Sequence, residues 1–376
     1  MFAEAIRLRL APAHLGFQEY LDYQLYRAVG SLAEKKTYAG GWCERAMRKV
    51  MTDDRALALC EDKLTTYLLF TAAGVRMPAL RAVYGRSFPA PIPVLQDARA
   101  LEEYLCTPAN LPVYLKPAFG SYGNGNTLVS ACRGRTLTIG NGEHVPASSY
   151  VGSLTEPAGL GWLVQEPLTS HPDLQALTGT TKVSGVRLLT MLGSAGSRPI
   201  YATLKLNAGL RDSDNFEHGA PGNLLAALDL TTGRVKRSIS GTGAAQVVNP
   251  PHPRTGKATV GFELPCWPEV VDLAVRAHQL LPLHTCPGFD VAITPTGPVM
   301  LEANAFGDMD VVQHSHGEGF LGERFLSALR EAGQHALLDR DRMQLRHIRL
   351  PEKAGWVRRY WLSRHGVQVR GIRQRG

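Results

Sequence analysis

Gly288-Phe289-Asp290-Val291-Ala292-Ile293 and, a few residues on, Val299-Met300-Leu301-Glu302-Ala303-Asn304 decide how this chain is read. Both runs have the length and apolar content of short strands, and Pro295-Thr296-Gly297-Pro298 between them is turn chemistry. An acid interrupts the first run, and the second closes on Glu-x-Asn. Side chains alternate along a strand, so Glu302 and Asn304 share a face that Asp290 can join from the neighbouring strand. Three oxygen donors without Cys or His suit a hard cation such as Mg²⁺, which is held by few carboxylates plus nucleotide phosphates. The same two strands are equally compatible with a hairpin whose acids face water.

A second stretch points the same way. Val113-Tyr114-Leu115-Lys116 predicts a strand entering Pro117-Ala118-Phe119-Gly120-Ser121-Tyr122-Gly123-Asn124-Gly125-Asn126, and Thr127-Leu128-Val129-Ser130 predicts one leaving it. Glycines at 120, 123 and 125 let a backbone fold over phosphates and offer its N–H groups. The loop is no Walker motif, lacking Gly-Lys-Ser/Thr, and no dinucleotide fingerprint, because no helix starts there. Lys116 adds a point charge for phosphates beside the cradle.

Composition sets the frame. The 376 residues exceed one compact core and predict two or three lobes. With 44% hydrophobic and 20% charged residues, the chain has a globular composition. No apolar run approaches the ~20 residues that span a bilayer. The acid at Glu4 and the lack of an apolar core after it argue against a signal peptide. Cys43, Cys60, Cys106, Cys132, Cys266 and Cys286 are scattered without a CxxC pair, and read as buried thiols of a reducing cytoplasm. The net charge is +8, and arginine crowds the end of the chain from Arg340 to Arg375. That tail reads as a basic surface and leaves contact with phosphates, nucleic acid or an acidic partner open.

Periodicity predicts helices over 17–26, 44–50, 61–70, 98–105, 268–281 and 320–332, with Gly74 and Pro78 ending the third. Further strands are predicted over 163–166, 186–190 and 200–206, and residues 79–98 read as irregular. Hairpins with separate helices make the class α+β.

Taken in order, these motifs resemble the ATP-grasp superfamily. Asp62-Lys63 with Ala73-Gly74-Val75-Arg76-Met77-Pro78 looks like its first lysine helix, and Tyr114-Leu115-Lys116-Pro117 with the glycine loop looks like its second lysine and phosphate lid. Leu163-Val164-Gln165-Glu166-Pro167-Leu168 resembles the adenine linker, and the opening strands resemble the metal pair. Gln165-Glu166-Pro167-Leu168 with His171-Pro172-Asp173-Leu174, Val186-Arg187-Leu188-Leu189-Thr190 and Asp214-Asn215-Phe216-Glu217-His218-Gly219 look most like the sugar-transfer-associated group. So do His252-Pro253-Arg254-Thr255-Gly256 and Leu264-Pro265-Cys266-Trp267.

The resemblance implies two α+β lobes gripping ATP, at 59–162 and 163–335, after a short helical region (1–58) and before an Arg-rich extension (336–376). It implies ATP with Mg²⁺ (Mn²⁺ as substitute), and an ADP-forming ligase joining a small-molecule or peptide carboxylate to an amine through an acyl phosphate. A phosphotransferase on a small molecule or sugar, and a nonenzymatic ATP-binding module, are the alternatives; a homodimer is left open. Lys63, Lys116, Gly120, Ser121, Gly123 and Gly125 are then expected around the phosphates. Gln165, Glu166 and Leu168 are expected at adenine, and Asp173 at the ribose or as a helix charge. Asp290, Glu302 and Asn304 are expected at the metal, with Arg187, Lys205, Asn215 and His218 at the reacting groups and Arg211 at the carboxylate. His314 and His316 read as structural. The region before Asp62 is shorter than the Rossmann-like domain that often opens the superfamily, so it leaves the acceptor undefined.

Overall fold

Alternating apolar runs joined by tight turns produce hairpins, and here they assemble two sheets. The computed structural model describes residues 1–11, 13–27, 30–86, 92–120, 125–154 and 160–333. The first sheet holds β1 (Leu80–Tyr84), β2 (Val94–Leu95), β3 (Val113–Pro117), β4 (Thr127–Arg133), β5 (Thr136–Ile139), β6 (Glu143–Pro146) and β7 (Trp162–Gln165), in the order β2-β1-β7-β3-β4-β5-β6. The second holds β8 (Gly185–Gly193), β9 (Gly196–Leu206), β10 (Leu224–Leu228), β11 (Val235–Ser240), β12 (Val247–Val248), β13 (Gly288–Thr294) and β14 (Gly297–Asn304), in the order β12-β11-β10-β9-β8-β13-β14. Only β1 and β2 pair in parallel among the described strands. The class is α+β, as the hairpin pattern predicts.

Helices α1 (Phe2–Leu10), α2 (Phe17–Asp22), α3 (Leu32–Lys35) and α4 (Gly41–Met51) form the N-terminal region; α5 (Ala58–Glu61) and α6 (Lys63–Ala72) follow. α7 (Ala98–Cys106) and α8 (Ala147–Ser153) cover the first sheet, where Leu101, Leu105 and Val151 meet Val113, Leu115, Val129 and Val164. After α9 (Pro172–Thr178), α10 (Trp267–Gln279) covers the second sheet, with Val270, Leu273 and Ala277 against Val186, Leu188, Leu204 and Val291. Each such Val or Leu side chain contributes about 1.5–3 kcal/mol on burial. α11 (Met309–His316) and α12 (Glu323–Glu331) complete the described chain. Because α10 takes the apolar face, the alternate residues Arg187, Thr203, Lys205 and Asp290 project from the other face of the second sheet.

Several expectations shift. The helix over 17–26 stops at Asp22, since Gln24 takes a left-handed φ of +55°. The helix over 61–70 breaks at Asp62, whose carboxylate accepts from the N–H groups of Leu64 (3.1 Å) and Thr65 (3.4 Å) and so restarts the chain as α6. Residues 79–98 are not irregular throughout, because they carry β1 and β2. Three cysteines are buried, but Cys106, Cys132 and Cys266 are half-buried. No described helix is long and apolar enough to cross a membrane. The Arg-rich extension and the proposed lid residues Ser121 and Gly123 lie outside the described residues.

Candidate nucleotide site between the sheets

Register sets the chemistry of the second sheet. Asp290 on β13 lies directly opposite Glu302 on β14 and Arg187 on β8, and Arg187 lies opposite Thr203 on β9. One polar row therefore crosses four strands. Its alignment depends on a bulge: Asp290 pairs with Glu302 but Val291 pairs with Met300, which leaves Leu301 as the extra residue. Met300 packs into the core, and without the bulge Glu302 would follow it there; the extra residue turns Glu302 to the polar face. Asn304, two residues on, shares that face, and its buried amide nitrogen has no partner.

Asp290 is spoken for on both oxygens. Arg187 donates to Oδ1 through Nε and to Oδ2 through Nη2 (2.8 Å), and Lys205 Nζ donates to Oδ2 at 3.2 Å. Lys205 also meets Asp214 at 2.9 Å, and Asp214 accepts from the N–H of Gly185 at 2.8 Å. A Cβ at position 185 would stand 2.9 Å from the Asp214 carboxylate, so glycine is what lets that acid approach. Burial works to raise the Asp290 carboxyl, but Arg187 and Lys205 outweigh it and hold the group below the usual carboxylate range. Burial likewise pulls Lys205 down, while Asp214 and Asp290 hold its ammonium above its ordinary value. Two cations and two anions, all desolvated, form a closed set that tolerates no single loss.

The first sheet brings the lysines. Lys116, on the central strand β3, is 7% exposed, and its ammonium donates to the Leu301 carbonyl on β14 at 3.2 Å. Burial pulls it down, Glu302 pulls it back up and Lys63 lowers it again, leaving it at about 8. Lys63 opens α6 and donates to the Gly120 carbonyl at 2.6 Å, which ties the helix to the lid entry. Gly125, at the lid exit, has φ +85° and no room for a Cβ against the Trp162 ring, at 2.8 Å. The linker follows: Gln165 is buried with its Nε2 unpartnered, and Glu166 is held by the N–H of Ala79 at 2.8 Å. Leu168 is half-buried. Asp173 stands exposed in the first turn of α9, where its charge favours the helix.

Between β9 and β10 the chain loops past this row. Asn223 and Asn207, both buried, bind the loop's own backbone, including Asn223 Nδ2 to the Asn215 carbonyl at 2.8 Å. Arg211 is exposed and paired with Glu217 at 2.7 Å. Asp212 accepts from the N–H of Leu128 on β4 at 3.2 Å, joining the loop to the lid hairpin. An open cavity of about 370 Å³ lies at this junction, lined by Gly125, Asn126, Asn141, Arg211, Asp212 and Glu217. Its lining reaches Ser213, next in the chain to Asp214 of the buried ion-pair set. His218, with φ +55°, reaches instead toward α11 and lies with Asp310 and His314.

The sequence model of sugar-transfer associated ATP-grasp proteins matches residues 44–328. The chain belongs to that family. No curated protein matches it. Among solved structures it is similar to the VanG D-Ala:D-Ser ligase from Enterococcus faecalis, at 14% identity over 75% of this chain and 64% of that one, with a TM-score of 0.42. It is similar also to the ATP-grasp ligase PsnB complexed with minimal precursor, Mg and ADP (15% identity, 75% and 62% covered, TM-score 0.37). A third is a biotin carboxylase βγ-ATP complex from Campylobacter jejuni (12%, 84% and 59%, 0.42). The chain thus spans less than two thirds of the length of these structures. As an ATP-grasp protein it places Lys63 and Lys116 on one sheet's side and Glu302, Asn304 and Asp290 on the other. Sequence reasoning passed over Asn207 and Asn223, which fix the loop, and over Asp310; it named Asp214 within a family motif but gave it no role, because its task depends on Lys205 being buried.

Proposed function

We propose that the chain is an ATP-dependent ligase that activates a carboxylate as an acyl phosphate and passes it to an amine, releasing ADP and phosphate. The observation that carries the reading is the facing of Lys63 and Lys116 against the Glu302–Asp290–Arg187–Lys205 row. Residues 59–162 and 163–335 are taken as the two gripping lobes. Gln165, whose buried amide lacks a partner, and the backbone through Leu168 would receive adenine; Lys63, Lys116 and the N–H groups of the Gly120–Gly125 loop would receive the phosphates.

Glu302 and Asn304 fit a hard divalent cation, with the remaining lone pairs of Asp290 as a third donor. Mg²⁺ there would neutralise charge on the phosphate oxygens. Arg187 and Lys205, fixed by Asp290 and Asp214, would offer preorganised N–H donors where negative charge builds on the transferring phosphoryl group. The carboxylate substrate would occupy the cavity beside Arg211, with Asn215 toward the amine; His218, turned to α11, takes no part there. A volume of about 370 Å³ admits a small molecule or a peptide end.

Hydroxylamine supplies the test. Incubated with ATP, Mg²⁺ and a panel of carboxylates, the protein is expected to release ADP and form a hydroxamate. ADP release with only a stable phosphorylated product would make the protein a phosphotransferase and overturn the ligase reading.

A further inference from the structure

Away from the phosphate-facing row, α11 carries Asp310 and His314 at a spacing of four residues, so both project from one helical face. His218, on the loop between β9 and β10, brings a third donor: one ligand-type atom from each residue lies within 4.8 Å of the other two. His314 is 2% exposed; its Nε2 faces Asp310 Oδ1 at 3.3 Å, and its Nδ1 has no hydrogen-bond partner. A buried ring nitrogen without a partner calls for an explanation. A spacing of about 3.3 Å is also what two ligands have on one tetrahedral ion with bonds of about 2.0–2.1 Å.

The surroundings match those of a ligand set. Tyr23 of the N-terminal region donates its hydroxyl to Asp310 Oδ1 at 2.8 Å, and Gln313 Nε2 donates to the Tyr23 hydroxyl at 2.9 Å. Tyr23 also packs on the His314 ring, with centroids 4.7 Å apart, so one side chain orients both helix donors. Such outer partners set the direction of ligating groups. On the loop side, Glu217 and His218 both adopt left-handed backbone, with φ of +44° and +55°, a conformation that non-glycine residues hold only where the surroundings impose it.

We propose that His218, Asp310 and His314 form a second metal site, for a divalent transition ion of the zinc class. Two imidazoles and one carboxylate select Zn²⁺, Co²⁺ or Ni²⁺ over Mg²⁺. Three protein ligands leave one position of a tetrahedral ion open, the arrangement of sites that bind water or a substrate atom. The competing account is a plain intrahelical pair between Asp310 and His314, which holds no ion and gives His218 no part. The proposal is independent of the nucleotide site, which lies on other residues.

Cobalt alone is the probe. The untagged full chain is stripped with chelator and titrated with Co²⁺ in the absence of nucleotide. One equivalent is expected to bind with the intense visible absorption of a four-coordinate ion, to be displaced by Zn²⁺, and to resist excess Mg²⁺. His218→Gly suits the positive φ and keeps the loop; it is expected to weaken binding about 100-fold, and Tyr23→Phe about 10–100-fold. Glu302→Ala is expected to bind Co²⁺ as the parent does. Absence of the visible band, unchanged affinity in His218→Gly, or loss of binding in Glu302→Ala would each overturn the proposal.

Discussion

Asp290 and Glu302 face each other across one strand pair, yet they do different work. Asp290 neutralises two buried cations, so Asp290→Asn leaves Arg187 and Lys205 short of an anion and is expected to destabilise the fold by about 3–5 kcal/mol. Glu302 is half-buried, and no described residue donates a hydrogen bond to its carboxylate. Glu302→Ala should therefore keep the thermal midpoint of the parent while losing ATP turnover by at least about 100-fold. Thermal unfolding and an ADP-release assay on the two variants check this; parental turnover in Glu302→Ala refutes the metal assignment. The pairing of Glu302 with Asn304 was legible from strand alternation alone. The Leu301 bulge was not, because a single extra residue leaves no trace in an apolar run. Arg187 and Lys205 were legible as charges inside strands, but not their closure onto Asp290 and Asp214, which requires the register.

Elements followed the sequence where local signals were strong. Asp97 accepts from the N–H of Ala100 at 2.8 Å and starts α7 as its capping chemistry predicts. Lys116 sits on the central strand β3, which ends at Pro117. The β5–β6 hairpin was missed although Asn141-Gly142 marks its turn, since Thr136–Ile139 and Glu143–Pro146 are too short and polar to stand out. α10 carries a further consequence. His278 bonds Thr190 Oγ1 at 2.6 Å and the His284 carbonyl at 2.8 Å, and burial pulls its imidazole down to about 4 from 6.5. The folded value lies below the unfolded one, so the unfolded chain binds more protons between the two. Stability is therefore full above about pH 6.5 and lost as pH falls toward 4, by about 1.4 kcal/mol per unit for this one group. Denaturant unfolding from pH 7 to pH 5 should show the decline, and His278→Asn should flatten it; an equal slope in the variant would assign it elsewhere.

At the scale of the whole molecule, two mostly antiparallel sheets come together where the Lys116 ammonium on β3 donates to the Leu301 carbonyl on β14. The family and the α+β class were legible, because the lysine strand, the glycine loop, the linker and the acid pair come in sequence. The packing of the N-terminal region was not. Its helices carry ordinary apolar patterns, but Tyr23 and the backbone of Ala39 lock onto Asp310 and Gln313 of α11 through contacts 287 and 274 residues apart in the chain. Such long-range polar pairs have no local signature. The central claim is that ATP binds between the sheets through both lysines with a divalent ion at Glu302. Calorimetric titration with a nonhydrolysable ATP analogue tests it most directly. The parent should bind one equivalent, dependent on Mg²⁺, and Lys63→Met with Lys116→Met should weaken binding by about 100-fold or more. Equal affinity in parent and double variant, or binding indifferent to Mg²⁺, would contradict the account.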